Sequence, residues 1–108
     1  MSEPLDNATW IIEAGDYVIQ KKARDGDSSL SPLEKLIYCL WVADYGMCNA
    51  GDLDTARELY ADFQTEAVRL SKDLGFQNTH EAFSLSFEAL QGQYFQRLDG
   101  ICREIRCA

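Results

Sequence analysis

The sequence predicts an all-α fold, a single-domain antiparallel bundle of four to five helices that takes in residues 1–108. Apolar residues recur at spacings of three and four almost throughout the chain, and the alternation typical of strands is nearly absent. Ser31-Pro32-Leu33-Glu34 reads as a capping box with proline at the first helical position, a clear helix start. A length of 108 residues with 46 % hydrophobic content allows one core and one domain.

The first helix is expected from about Asp6 to Arg24, followed by a turn-rich segment that leads to the capping box. The second helix begins after Ser31 and should be the most buried element. It ends at Asn49-Ala50-Gly51, where asparagine or glycine can adopt a left-handed terminal conformation.

The third helix is expected to open at Asp52 and end at Gly75, because its apolar positions keep one unbroken seam. These positions are Leu53, Ala56, Tyr60, Phe63, Ala67, Leu70 and Leu74. Asn78, with Glu81 three residues later, predicts the next cap. A last helix then continues to the C-terminus, with Gly92 and Gly100 as candidate kinks or breaks.

The charge balance favours a basic partner. The chain has 18 acidic and 10 basic residues, a net charge of -8, so it repels nucleic acid and anionic membrane and attracts cationic surfaces. Direct nucleic-acid binding and membrane association are therefore not expected. No signal peptide or membrane-spanning run is visible, which leads us to expect a cytoplasmic location.

The side chains that carry catalysis or metal binding are sparse. Cys39, Cys48, Cys102 and Cys107 form no Cys-x-x-Cys pair and are expected to be buried or half-buried free thiols, with a disulfide or a zinc site as the alternative. Acidic surroundings should raise the pKa values of Cys39 and Cys48. The single histidine, His80, is expected to be an exposed residue in a first helical turn. We therefore expect no catalytic residues, no metal and no cofactor, and hence not an enzyme.

Asp44 lies on the second helix at a position where the neighbouring turns are apolar. A partly buried Asp44 would need a partner, such as the Tyr17 or Tyr60 hydroxyl, an arginine or a helix N-terminus. A second titratable group in a pocket around it would revive an enzyme interpretation.

Four carboxylates at a spacing of four, Asp54, Glu58, Asp62 and Glu66, are expected on one face of the third helix. Asp54 is favoured by the helix dipole and by Arg57, and Glu66 can reach Arg69. Glu58 and Asp62 have no cation three or four positions away. The row is either a solvated face that maintains solubility or a docking face for a basic protein.

The docking interpretation makes the candidate partner-binding set Asp44, Tyr45, Asp54, Glu58, Asp62 and Glu66. Trp41 and Tyr60 are further aromatic candidates for anchoring, because buried aromatic side chains carry much of the affinity of protein interfaces. Replacing Glu58 and Asp62 together by lysine should then abolish binding and leave the fold intact.

The segment Tyr38-Cys39-Leu40-Trp41-Val42-Ala43-Asp44, followed by Asn49-Ala50-Gly51-Asp52-Leu53, resembles small acidic all-helical bacterial domains of the DNA-mimic type. Those domains have a Leu-Trp helix that ends in an Asn-Gly-containing turn, Asn-Asn-Gly-Gly where this chain has Asn-Ala-Gly-Asp. The chain is also similar in size, charge and class to bacterial immunity proteins, which neutralise a co-produced toxin. The resemblance implies an immunity-type inhibitor that occludes a basic site on a toxin or a nucleic-acid-binding protein.

A homo-oligomeric adaptor is the alternative function. It would use an exposed apolar patch of Phe95, Leu98 and Cys102 on the last helix to form a homodimer.

Overall fold

The computed structural model describes residues 6–108, and in that part of the chain it is all-α, as predicted. The helices are α1 (Asn7–Asp25), α2 (Pro32–Ala50), α3 (Asp54–Leu59), α4 (Phe63–Leu74), α5 (Gln77–Phe83) and α6 (Phe87–Arg106), with a 3₁₀ turn at Asp27–Ser29. The described residues thus hold six α-helices where four or five were predicted, because the third and fourth predicted helices are each divided in two.

Local side-chain caps set the first two helix starts, and the cap of α2 is the capping box that the sequence predicted. The Asp6 carboxylate accepts a hydrogen bond from the Thr9 amide at 2.7 Å. At α2 both bonds of the capping box are present: Ser31 Oγ accepts from the Glu34 amide, and Glu34 Oε1 accepts from the Ser31 amide. Gly51 closes α2 in the left-handed region, with φ 73°.

The third predicted helix is broken at residues 60–62. Tyr60 is extended, with φ -153° and ψ 97°, and α4 starts afresh at Phe63. Both α3 and α4 pack against α2. Apolar residues at spacings of three and four are therefore compatible with two short helices as well as with one long helix. The prediction of one continuous helix with four carboxylates on a single face is therefore wrong.

The last predicted helix breaks at residues 84–86 instead of at a glycine. Ser86 Oγ accepts a hydrogen bond from the Ala89 amide and caps α6, which runs without interruption through Gly92 and Gly100. Asn78 lies inside α5 and does not cap it. The amides of Asn78 and Thr79 donate instead to the Glu104 carboxylate on α6, at 2.9 and 2.7 Å.

The α2 helix is the centre of the structure, in agreement with its expected burial. Leu36, Val42 and Ala43 are completely buried, and α1, α3 and α4 pack against this helix. Two glycines permit close contact: Gly15 of α1 lies under the Trp41 ring, and Gly46 of α2 lies against the backbone of α3. No helix in residues 6–108 has the length and apolar character to cross a membrane.

The cysteines are free thiols, and only two of them are buried. Cys39 and Cys102 belong to the core, whereas Cys48 and Cys107 are exposed, so the prediction of burial is wrong for the second pair. His80 is half-buried with Nδ1 3.2 Å from the Val68 carbonyl oxygen, and is not the exposed cap residue that was expected. Within the described residues no three His, Cys, Asp or Glu side chains are placed to hold a metal ion.

Candidate protein-binding surface

Asp44 is buried, with 5 % of its surface exposed, and its partner is a residue the sequence did not suggest. The Tyr94 hydroxyl of α6 donates a hydrogen bond to Asp44 Oδ1 at 2.8 Å, and the Cys48 thiol donates to Oδ2 at 3.6 Å. Neither Tyr17 nor Tyr60 takes this role. Burial and the adjacent carboxylate raise the pKa of Tyr94 well above its usual value, so the hydroxyl keeps its proton. Asp44 therefore stabilises the contact between α2 and α6, and burial removes it from the candidate partner-binding set.

The outer two carboxylates of the predicted row are neutralised by arginines. Asp54 pairs with Arg57 at 2.8 Å, and Glu66 pairs with Arg69, so both predicted ion pairs are present. The Arg57 guanidinium also lies 3.8 Å from the centre of the Phe87 ring, which fixes it between α3 and α6. These pairs leave Asp54 and Glu66 little free charge to offer a partner.

The two central carboxylates, Glu58 and Asp62, are exposed and have no ion-pair partner among residues 6–108. The helix break places Glu58 in the last turn of α3 and Asp62 just before α4. The Asp62 side chain makes no capping hydrogen bond, although it occupies the N-cap position. Both carboxylates are thus free to accept hydrogen bonds or salt bridges from a partner.

Four aromatic rings form a continuous row along α2 and the break after α3. Tyr60 lies 5.7 Å from Tyr38, Tyr38 lies 6.3 Å from Trp41, and Trp41 lies 5.4 Å from Tyr45, all between ring centroids. We call these four residues the aromatic row. Its last member, Tyr45, is 41 % exposed. The sequence suggested three of the four; Tyr38 was missed, although positions 38, 41 and 45 have helical spacing.

Leu59 is an exposed apolar side chain that lies in the sequence between the two free carboxylates. It is 48 % exposed and lies in the last turn of α3, next to Glu58. Residues two apart on a helix point to roughly opposite sides, so Leu59 faces away from Arg57 and α6. The exposure of Leu59 could have been predicted from the sequence, because position 59 lies outside the apolar seam of the third predicted helix. The aromatic row together with Glu58, Leu59 and Asp62 is called the acidic–aromatic surface below.

The apolar patch proposed for a homodimer is not assembled on α6. Phe95 is 57 % exposed, but Leu98 is half-buried against the core and Cys102 is completely buried. The prediction of Cys102 as a surface residue is wrong, because it joins Ile101 and Ile105 on the core side of α6.

Comparison with protein families, with characterised proteins and with solved structures finds no match to this chain.

Proposed function

We propose that this protein is a small inhibitor-type binding protein, of the immunity kind, that docks its acidic–aromatic surface onto a basic site of a partner protein such as a toxin. The observation that carries the proposal is the composition of this surface. Exposed Tyr45 ends the aromatic row, and exposed Leu59 lies in the sequence between Glu58 and Asp62, two carboxylates that have no ion-pair partner among residues 6–108. We place this activity in the cytoplasm.

The aromatic row and Leu59 supply the apolar contacts that bind the partner. Aromatic side chains bury a large area with few rotatable bonds, and they are prominent among residues that dominate interface affinity. Trp41 rests on Gly15, stacks on Tyr38 and contacts the Tyr45 ring at a tilt of 30°, so the row is held in place before a partner arrives. A preorganised surface loses less conformational entropy on binding.

The free carboxylates, Glu58 and Asp62, supply orientation and speed of association. Charges at the rim of an interface act mainly on the association rate, and they do so more strongly at low salt. The net charge of -8 adds a long-range attraction for a basic partner. Lysine and arginine side chains on the partner are the expected contacts for these two residues.

The divided third helix favours an immunity-type inhibitor over a DNA mimic. Carboxylates four apart on one continuous helix would repeat every ~6 Å, a spacing similar to that of phosphates along a strand. Here the row is interrupted at residues 60–62, and its outer members are paired with arginines. What remains is a compact patch that fits a basic site on a protein better than it imitates a nucleic acid.

The test is capture of the partner from the native lysate by tagged protein at low and high salt. We expect the wild-type protein to retain a basic protein at low salt and to release it at high salt. Glu58→Lys combined with Asp62→Lys should lose the capture, because it places two positive charges against a basic site.

The matched control is Glu13→Lys combined with Glu81→Lys, which makes the same change in net charge at two exposed positions. Glu13 lies two residues before Gly15 and so on the far side of α1 from Trp41. The control should retain the partner. Equal capture by the two double variants would refute the assignment of the surface.

A further inference from the structure

A cavity of about 180 Å³ lies beside α2, between the 3₁₀ turn and α4. Its apolar lining comes from Leu30, Cys39 and Leu70, each at most 8 % exposed. An engineered protein cavity of about 150 Å³ holds a benzene molecule. This cavity is therefore large enough for one six-membered ring.

Two members of the aromatic row also line the cavity. The Tyr38 and Tyr60 rings are tilted by 43° to each other, with centroids 5.7 Å apart. Aromatic rings prefer tilted or offset contacts at such separations. A planar ring in the cavity can make the same kind of contact with both tyrosines, which an aliphatic ligand cannot.

Cations are concentrated around the cavity in a chain that is otherwise acidic. Lys22, Lys35 and Arg69 line it, against the two carboxylates of Asp27 and Glu66. Lys35 has no ion-pair partner among the described residues. The lining thus has a formal excess of positive charge, although the whole chain is strongly negative.

The two carboxylates in the lining leave the cations able to bind a ligand. The Asp27 side chain is 75 % exposed and screened by water, and Lys22 approaches it only to 3.5 Å. Arg69 pairs with Glu66 and also lies 3.8 Å from the Asp73 carboxylate, which is 64 % exposed and screened by water. Its guanidinium has five N–H donors, so it can bind a further carboxylate at the same time.

The Cys39 thiol is chemically inert here. Burial raises the pKa of Cys39 to about 12, with the nearby Glu66 carboxylate adding to the effect. The thiol stays neutral at physiological pH, so it adds no negative charge to the cavity and forms no covalent bond with a ligand.

We propose that this cavity binds a small aromatic carboxylate, with its ring against Tyr38 and Tyr60 and its carboxylate directed to Lys35 and Arg69. This site shares Tyr38 and Tyr60 with the aromatic row, but it takes a small molecule and depends on Lys35 and Arg69, which the docking proposal does not use.

The test is a titration with sodium benzoate, followed through the backbone amide NMR signals of the full chain. We expect benzoate to shift the amides around Tyr38, Cys39 and Arg69, with a Kd on the order of a millimolar. Benzamide has the same shape without the charge, and acetate has the charge without the ring. Each should bind at least roughly fivefold more weakly than benzoate.

Lys35→Glu should weaken benzoate binding by at least roughly fivefold, because it replaces the cation at the cavity with a carboxylate. Lys72→Glu makes the same change at an exposed lysine of α4 that does not line the cavity, and should leave binding unchanged. Thermal unfolding of both variants checks that they are folded. The proposal is overturned if benzoate shifts no amides near the cavity, if benzamide binds equally well, or if the two variants respond alike.

Discussion

At the scale of single residues, Gly15 shows how closely α1 approaches α2. A Cβ atom added at Gly15 would lie 2.2 Å from Cδ1 and 2.5 Å from Cγ of the Trp41 indole. Such distances cannot be accommodated without moving the ring, which stacks on Tyr38 and makes a tilted contact with Tyr45. The aromatic row is therefore positioned by the absence of a side chain on the neighbouring helix.

Gly15→Ala should lower the free energy of unfolding by about 1–3 kcal/mol, the usual cost of overpacking, despite the better helix propensity of alanine. Gly92→Ala is the matched control, since a Cβ there meets nothing within 4 Å in the middle of α6. It should stabilise the protein by about 0.5–1 kcal/mol. Urea unfolding measures both, and a stabilising Gly15→Ala would contradict the packing described.

The hydrogen bond between Tyr94 and Asp44 is the second residue-scale feature open to test. Tyr94→Phe removes the hydroxyl that Asp44 Oδ1 faces at 2.8 Å, and leaves a buried carboxylate oxygen without its donor. We expect a loss of about 1–3 kcal/mol in unfolding free energy. Tyr17→Phe, at a side chain that is 60 % exposed, should change stability by less than about 0.5 kcal/mol. Similar changes in unfolding free energy for the two variants would mean that the hydrogen bond between Tyr94 and Asp44 contributes nothing to stability.

At the scale of elements, the helix starts with local signals could be predicted, and the helix breaks could not. The α2 capping box needs only Ser31 and Glu34, which are neighbours in sequence. The break at residues 60–62 has no glycine or proline, and it depends on α3 and α4 both packing against α2. Gly92 produces no break, because one glycine costs a helix only about 1 kcal/mol. The α6 start at Ser86 did have a local signal, a serine before a helical period.

The capping box also predicts a pH dependence. The Ser31 amide and then Lys21, whose Nζ lies 2.9 Å from Oε1, lower the pKa of Glu34 below its ordinary value of 4.5. A lowered pKa in the folded state stabilises the protein fully above the unfolded-state value. That contribution is lost as the pH falls through the folded-state value.

Glu34→Gln should therefore be less stable than the wild-type protein at neutral pH, and the difference should shrink as the pH falls below about 4.5. Urea unfolding between neutral pH and about pH 3 measures the difference. The control, Glu13→Gln, changes an exposed carboxylate on α1 and should show no such convergence. A difference that stays constant with pH would show that the charge of Glu34 does not stabilise α2.

At the scale of the whole molecule, the fold class could be predicted from the hydrophobic periodicity and the length of the chain. The candidate surface could be predicted only in part. Tyr45, Glu58 and Asp62 were suggested by exposure and unpaired charge, which are readable locally. Apolar neighbours suggested that Asp44 could be partly buried, but its partner could not be predicted, because Tyr94 is 50 residues away. The cavity was also invisible in the sequence, since its lining comes from separate segments of the chain.

Binding of a basic partner by the acidic–aromatic surface can be measured through association kinetics with the captured, purified protein. Glu58→Lys with Asp62→Lys should slow association by about tenfold or more at low salt. The difference in association rate from the wild-type protein should decrease as salt is added. Tyr45→Ala should leave the association rate nearly unchanged and speed dissociation, whereas Tyr17→Ala should change neither rate. Wild-type association and dissociation rates for both surface variants would show that the partner does not bind at this surface.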